Sequence, residues 1–200
     1  MARIAVGASS DGRRRRSEQS RAKIIEAMLS LVREGKIVPT AEEVAARADI
    51  GLRSVFRHFA DMEMLRQEMV AQMAQSYLKW LAPFEGDDWR DQLKELISRR
   101  ASAYEEVLPF KRAAEVRRYK SSVIGFEFDR LNTLMRTRLK SVLPEDFANK
   151  TILFESLDLV LSIDAWQRLR EDQNLSVEEA REVLYKLVEA VLHQGNLQLT

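Results

Sequence analysis

Four consecutive arginines, Arg13, Arg14, Arg15 and Arg16, and a segment holding Thr40, Leu52, Arg53, Ser54, Phe56, Arg57 and His58 are the residues of this 200-residue sequence best suited to a chemical task. The task is binding phosphate and base edges: guanidinium groups pair with phosphate oxygens or guanine, and short hydroxyl side chains reach either. Covalent and metal chemistry have little to work with. The absence of cysteine removes thiolate nucleophiles, thiolate zinc sites, iron–sulfur ligation and disulfides. Two histidines, His58 and His193, are too few for a multi-histidine metal site. No glycine-rich phosphate loop, Gly-x-Ser-x-Gly elbow or Glu-x-x-His pair occurs. Adjacent acids such as Asp87-Asp88, Glu105-Glu106 and Glu178-Glu179 point to different faces and read as solvated surface. The expectation is a protein that is not an enzyme and uses no cofactor or metal.

The charge is unevenly distributed. The net value is only +1, yet residues 1–60 carry 12 basic against 7 acidic side chains and residues 61–200 carry 20 against 24. An N-terminal unit facing a polyanion and a mildly acidic remainder would give this pattern. With 46% hydrophobic and 32% charged residues, seven Gly and four Pro, the composition is that of a folded globular chain rather than a disordered one. No stretch approaches the about 20 apolar residues of a membrane helix, and the N-terminus lacks a secretory apolar core, so the expected location is the cytoplasm, with no membrane partner.

These residues need elements to position them. Residues 1–16 show little periodicity and read as a mobile basic arm. From Ser20 an apolar pattern of helical spacing (Ile24, Ile25, Met28, Leu29, Val32) runs to Gly35, a natural residue just past a helix end. Thr40 with Glu43 forms a capping box that opens a short helix. Asp49-Ile50-Gly51 ends it, and a second short helix runs from Leu52 to about Phe59. Two short helices joined by such a turn form a helix-turn-helix, whose second helix enters the DNA major groove. Beyond Glu63 the pattern predicts helices over Met64–Trp80, Trp89–Glu106, Phe110–Tyr119 and Ile124–Leu143, with breaks at Pro83, Gly86, Pro109, Gly125 and Pro144. Two closing helices follow. One carries Leu153, Leu157, Val160, Leu161, Asp164 and Leu169; the other, opened by Ser176 and Glu179, carries Val183, Leu184, Leu187, Val188, Val191 and Leu192. No run alternates with period two, so the fold class is all-α, with a three-helix N-terminal domain and a larger helical C-terminal domain.

Residues 40–59, TAEEVAARADIGLRSVFRHF, resemble the helix-turn-helix of the TetR family of transcriptional regulators. The likeness is carried by Thr40, Val44, Ala45, Ile50, Val55, Phe56, His58 and Phe59. It implies a DNA-binding domain over residues 1–62 and a ligand-binding and dimerisation domain over 63–200. It further implies a repressor that binds double-stranded DNA at a palindromic operator as a homodimer and is released by a small molecule. Leu52, Arg53, Ser54 and Phe56 fall at base-contact positions. Thr40, Arg57 and His58 fall at phosphate-contact positions, with Arg13 to Arg16 as further phosphate ligands. Three departures stand out: Asp49 replaces a usual glycine at a turn that needs positive φ, Phe56 lacks the phosphate-binding hydroxyl of a usual tyrosine, and Met62 replaces a usual lysine.

The resemblance also implies a small-molecule pocket in the larger domain, with Tyr104, Phe110, Tyr119, Phe126 and Trp166 as candidate lining residues. The two closing helices would pair with their twins across a two-fold axis. A helical adaptor that binds protein and not DNA remains the alternative.

Overall fold

A computed structural model of the protein describes residues 8–76, 80–116 and 121–199. Among them are ten α-helices and a π-helical turn: α1 (Ala8–Arg33), α2 (Ala41–Ala48), α3 (Leu52–His58), α4 (Met62–Ser76), α5 (Trp89–Glu115), α6 (Ser122–Val142), α7 (Glu145–Ala148), α8 (Thr151–Val160), α9 (Ile163–Gln167), the π-turn (Arg168–Asp172) and α10 (Val177–Gln194). The all-α expectation holds. By contacts the chain divides into two compact units, Met1–Gln72 with Pro109–Ile124, and Met73–Leu108 with Gly125–Thr200. The first therefore reaches beyond residue 62 and takes in a second segment.

Arg13 to Arg16 are a correction. They lie within α1, not in an irregular arm. Arginine is a good helix former, and successive residues on a helix point about 100° apart, so four neighbouring charges diverge. Arg14 also pairs with Glu18 one turn on, at 3.0 Å, and Arg16 Nε donates to the Gly12 carbonyl.

Two further corrections concern predicted breaks. Pro109 sits inside α5 and Gly125 inside α6. A proline in a helix interior forfeits one backbone hydrogen bond and costs about 3 kcal/mol. Here Val107, Leu108, Phe110, Ala113 and Ala114 around it are all buried, and that packing outweighs the local cost. The division between the units nevertheless falls at these two residues.

The first unit is built on α1. Ile24, Ile25, Met28, Leu29 and Val32 form its buried stripe. The helix ends where Gly35 takes φ 93°, and the Lys36 and Gly35 amides donate back to the Leu31 and Val32 carbonyls.

The second unit has one core, with Leu93, Ile97, Leu139, Phe147, Leu157, Trp166, Leu184, Val188 and Leu192 among its buried members. This corrects the closing helices in two ways. The predicted helix over 153–169 is two, because the chain turns at Leu161 and Ser162, whose hydroxyl accepts from the Ala165 amide and opens α9. The turn is held from α5: Arg100 donates to the Leu161 carbonyl at 2.9 Å, and the Tyr104 hydroxyl donates to the same oxygen at 2.8 Å. Second, Leu157, Leu161, Leu169, Leu184, Val188 and Leu192 close this unit's own core. The Ser176 and Glu179 capping box opens α10 as expected.

Candidate nucleic-acid interface

The α2–α3 pair is positioned by local chemistry at three points. The Thr40 hydroxyl oxygen accepts from the Glu43 amide at 3.3 Å, and Glu43 Oε2 accepts from the Thr40 amide at 2.8 Å. Lys36 Nζ lies 2.6 Å from Glu43 and, with that amide bond, holds the carboxyl below the usual carboxylate range. The Thr40 hydroxyl still has its own proton to donate. At the other end of α2, Asp49 takes φ 53° and ψ 50°, and the Ile50 and Asp49 amides donate to the Ala45 and Ala46 carbonyls. Aspartate is one of the few residues with a side chain that tolerate this left-handed conformation, so the turn persists where a glycine was expected. Finally, Arg47 grips Glu34, just past the end of α1, through two bonds of 2.6 Å and Ser30 of α1 through another, fixing α2 to α1.

The seven residues of α3 sort cleanly by face. Val55, with Phe59 just past the helix end, is buried; Leu52, Arg53, Phe56 and Arg57 are exposed; Ser54 and His58 are intermediate. Leu52 and Phe56 lie one turn apart, as do Arg53 and Arg57, so an apolar stripe adjoins a basic one on the outward side. No acidic residue interrupts either stripe. Among the described residues neither Arg53 nor Arg57 has a hydrogen-bond or ion-pair partner. Arg21 of α1 packs over the Phe59 ring at 5.0 Å and pairs with Glu68 of α4 at 2.7 Å, tying the far end of α3 to its supports.

His58 is placed differently from its expected role. Its Nε2 is enclosed without a hydrogen-bond partner, so that atom is not presented to a phosphate. Burial, and then the nearby Arg57 and Arg21 charges, push its pKa below the ordinary histidine value. The neutral form is thus the one the fold accommodates. A base whose folded pKa is depressed contributes stability in full above its unfolded value, about 6.5, and loses it as pH falls from there through the folded value. Urea unfolding of the wild type at pH 7.5 and pH 5.5 is therefore expected to show a lower midpoint at pH 5.5. In His58→Gln the drop should be smaller, and an identical drop would remove His58 as its source.

The five aromatic candidates for a ligand pocket do not converge. Phe110 belongs to the first unit, where Arg33 stacks on it at 5.7 Å. Phe126 is 65% exposed, and Tyr119 lies outside the described residues. Trp166 is fully buried in the second unit; its Nε1 donates to Glu105 at 2.8 Å, and Arg170 Nε donates to the same carboxylate at 2.8 Å. Arg170 above all holds Glu105 below the usual carboxylate range. Glu105 was expected on the solvated surface, and instead it bridges α5 to α9 and the π-turn. Tyr104 borders a sizeable cleft, of about 390 Å³, which Arg100, Asn132, Met135, Asp158 and Ile163 also line. Burial pushes the Tyr104 phenol up, so it stays protonated and donates to Leu161. Sequence reasoning missed Arg100, a charged residue buried at the cleft edge. Its only signal would have been a cation on the apolar face of α5.

Among the described residues no group of acids and histidines could hold a metal ion, and no helix is long and apolar enough to cross a membrane.

No family model matches the sequence, and no curated protein matches it. Solved structures do match the fold. A transcriptional regulator from Rhodococcus sp. Rha1 aligns with a TM-score of 0.66 at 19% identity, over 89% of this chain and 96% of that one. A TetR-family member from Streptomyces coelicolor A3 aligns with a TM-score of 0.53 at 21% identity, over 84% and 97%. The multidrug binding protein EbrR, solved in complex with imidazole, aligns with a TM-score of 0.54 at 22% identity, over 84% and 88%. At these identities the likeness is one of fold: an N-terminal helix-turn-helix followed by a larger helical bundle, the architecture seen in TetR-family regulators.

Proposed function

We propose that this protein is a transcriptional regulator that binds a palindromic operator in double-stranded DNA as a homodimer and is released by a small molecule. The observation that carries the reading is α3, an outward helix with two unpartnered arginines and no acid, held by a capped α2 and a left-handed Asp49 turn. Arg53 would pair with guanine O6 and N7, with Ser54 as a permissive neighbour. Thr40 and Arg57 supply phosphate contacts. Residues 1–62 would form the reading head and 63–200 the sensor and dimer domain.

The dimer would form through α8 and α10, which pack together and leave Ile152 81%, Leu159 70% and Leu187 44% exposed. A two-fold pairing buries the same patch on both copies and fixes two recognition helices about 34 to 36 Å apart, one turn of DNA. The cleft beside Tyr104 is of a size to hold a small molecule, and EbrR, of the same fold, was solved with one. Ligand would favour a conformer with the wrong helix spacing, with a coupling of about 1 to 3 kcal/mol.

The test is selection of duplexes from a random-sequence pool by the purified protein. A recovered palindrome supports the reading. Recovery of no preferred sequence defeats it and leaves the protein-binding adaptor.

Arg13 to Arg16 give a second measurement. On a helix Arg13 and Arg16, three residues apart, share a side. If Arg13 and Arg16 each neutralise one phosphate, a dimer loses four contacts when both are changed to Gln. The slope of log K against log salt should then flatten by about 3 to 4 units, at about 0.9 per phosphate. An unchanged slope would show that the arginines do not touch DNA.

A further inference from the structure

We propose that Phe56 and Leu52 read thymine in the operator half-site through its C5-methyl group. The proposal rests on the regulator reading above and names what α3 recognises. Phe56 is 46% and Leu52 38% exposed, although the same short helix buries Val55 almost completely. Two large apolar side chains on the outward face of a seven-residue helix thus keep much of their surface in water, and a partner on that face would cover the remainder. The neighbouring stripe limits what that partner can be. Arg53 and Arg57 flank the apolar pair along its length, and α3 carries no acid, so the surface complements a polyanion.

A protein partner of ordinary size would need a far larger apolar area than two side chains supply. The major-groove floor, by contrast, offers isolated apolar points of about this size within a field of phosphates. In a duplex of the four ordinary bases thymine is the sole source, through the methyl group at C5.

The spacing fits as well. Four residues of α-helix rise about 6 Å, close to two base-pair steps of about 3.4 Å. Phe56 and Leu52 can therefore meet methyl groups about two steps apart. Phe56 has no hydroxyl with which to hold a phosphate, which leaves its ring to pack on the groove floor. The basic stripe remains for guanine and the backbone.

The experiment uses full-length protein and duplexes recovered from a random-sequence pool. Each thymine of the half-site is replaced in turn by deoxyuridine, which removes one methyl group and leaves every hydrogen-bonding atom in place. The expected result is one or two positions per half-site, within about two steps of each other, where the exchange weakens binding. The loss should be about fourfold for one half-site and about fifteenfold for both, the effect of losing one buried methyl-sized contact in each. In Phe56→Ala, with Leu52→Ala as the companion variant, the affected position should bind thymine and uracil duplexes alike. Both residues are exposed, so neither change should lower the unfolding midpoint.

A half-site in which no uracil exchange matters, bound with undiminished sequence preference, would overturn the thymine reading and leave the regulator intact. Uracil sensitivity that persists unchanged in both variants would overturn the assignment to these residues. Phe56→Ala altering self-association in sedimentation, with DNA binding untouched, would show a contact with a second copy and overturn it as well. Failure to recover any preferred duplex would sink the regulator reading, and the thymine proposal with it.

Discussion

Leu187→Asp is expected to leave the second unit folded and to convert the protein from dimer to monomer. Leu187 lies at the edge of the α10 stripe of Ala180, Leu184, Val188 and Leu192 that packs into the core and is itself 44% exposed, so a charge there can stay in solvent rather than enter that core. At a two-fold interface the same residue is buried twice. An unpaired buried charge costs several kcal/mol, so dimer dissociation should become at least about a thousandfold easier. Sedimentation at micromolar concentration would show the mass halved, and binding to a full palindrome should fall toward that of a single half-site. Leu159→Asp on α8 should behave the same way, since Leu159 is 70% exposed in the isolated chain. Wild-type protein that sediments as a monomer would refute the dimer. A Leu187→Asp protein that stays dimeric would move the interface elsewhere.

Trp166→Ala is expected to produce the largest loss of stability of any single truncation in the second unit. The side chain is fully buried and anchors α9 through the Glu105 carboxylate. Truncating a buried tryptophan costs about 3 to 5 kcal/mol, a large share of what a small unit has. Trp166→Phe keeps most of the volume and loses the donor, so it should cost about 1 kcal/mol. Urea unfolding followed by circular dichroism separates the two. If instead Trp166 were a ligand wall, Trp166→Ala would be nearly neutral for stability.

The parts of the site that could be read from the sequence are those made by neighbours along the chain. Thr40 and Glu43 bond each other within one helical turn, and Asp49 sets a backbone angle through its own residue type. The division of α3 into buried Val55 and exposed Leu52, Arg53, Phe56 and Arg57 follows from spacing alone. Residue type and a few angstroms of chain decide these features, so they need no knowledge of what packs where.

The misplaced aromatics fail for the opposite reason. Periodicity shows that Phe110, Phe126 and Trp166 sit on helices, but it cannot say what covers each. Phe110 is covered by the first unit, Trp166 by the core of the second, and Phe126 is largely uncovered. The proposed dimer face is a similar case, since the closing helices carry a broad apolar arc and only packing shows which part of it the chain buries itself.

What the sequence determined by itself is the helical class, the capped helix-turn-helix with its basic stripe, and the start of the last helix, because hydrogen bonds within a turn and a period of 3.6 residues are local. What only the tertiary structure decided is where helices continue or stop against their local preference, and which side chains become buried anchors. Pro109 stays helical because its flanking apolar residues are buried. The chain turns at Leu161 because Tyr104 and Arg100, 57 and 61 residues earlier, satisfy that carbonyl. Gly195 closes α10 where a side-chain carbon would stand 2.4 Å from the Phe147 ring. Each of these depends on groups brought together by folding, and their burial energy exceeds the about 1 to 3 kcal/mol by which a local preference points the other way.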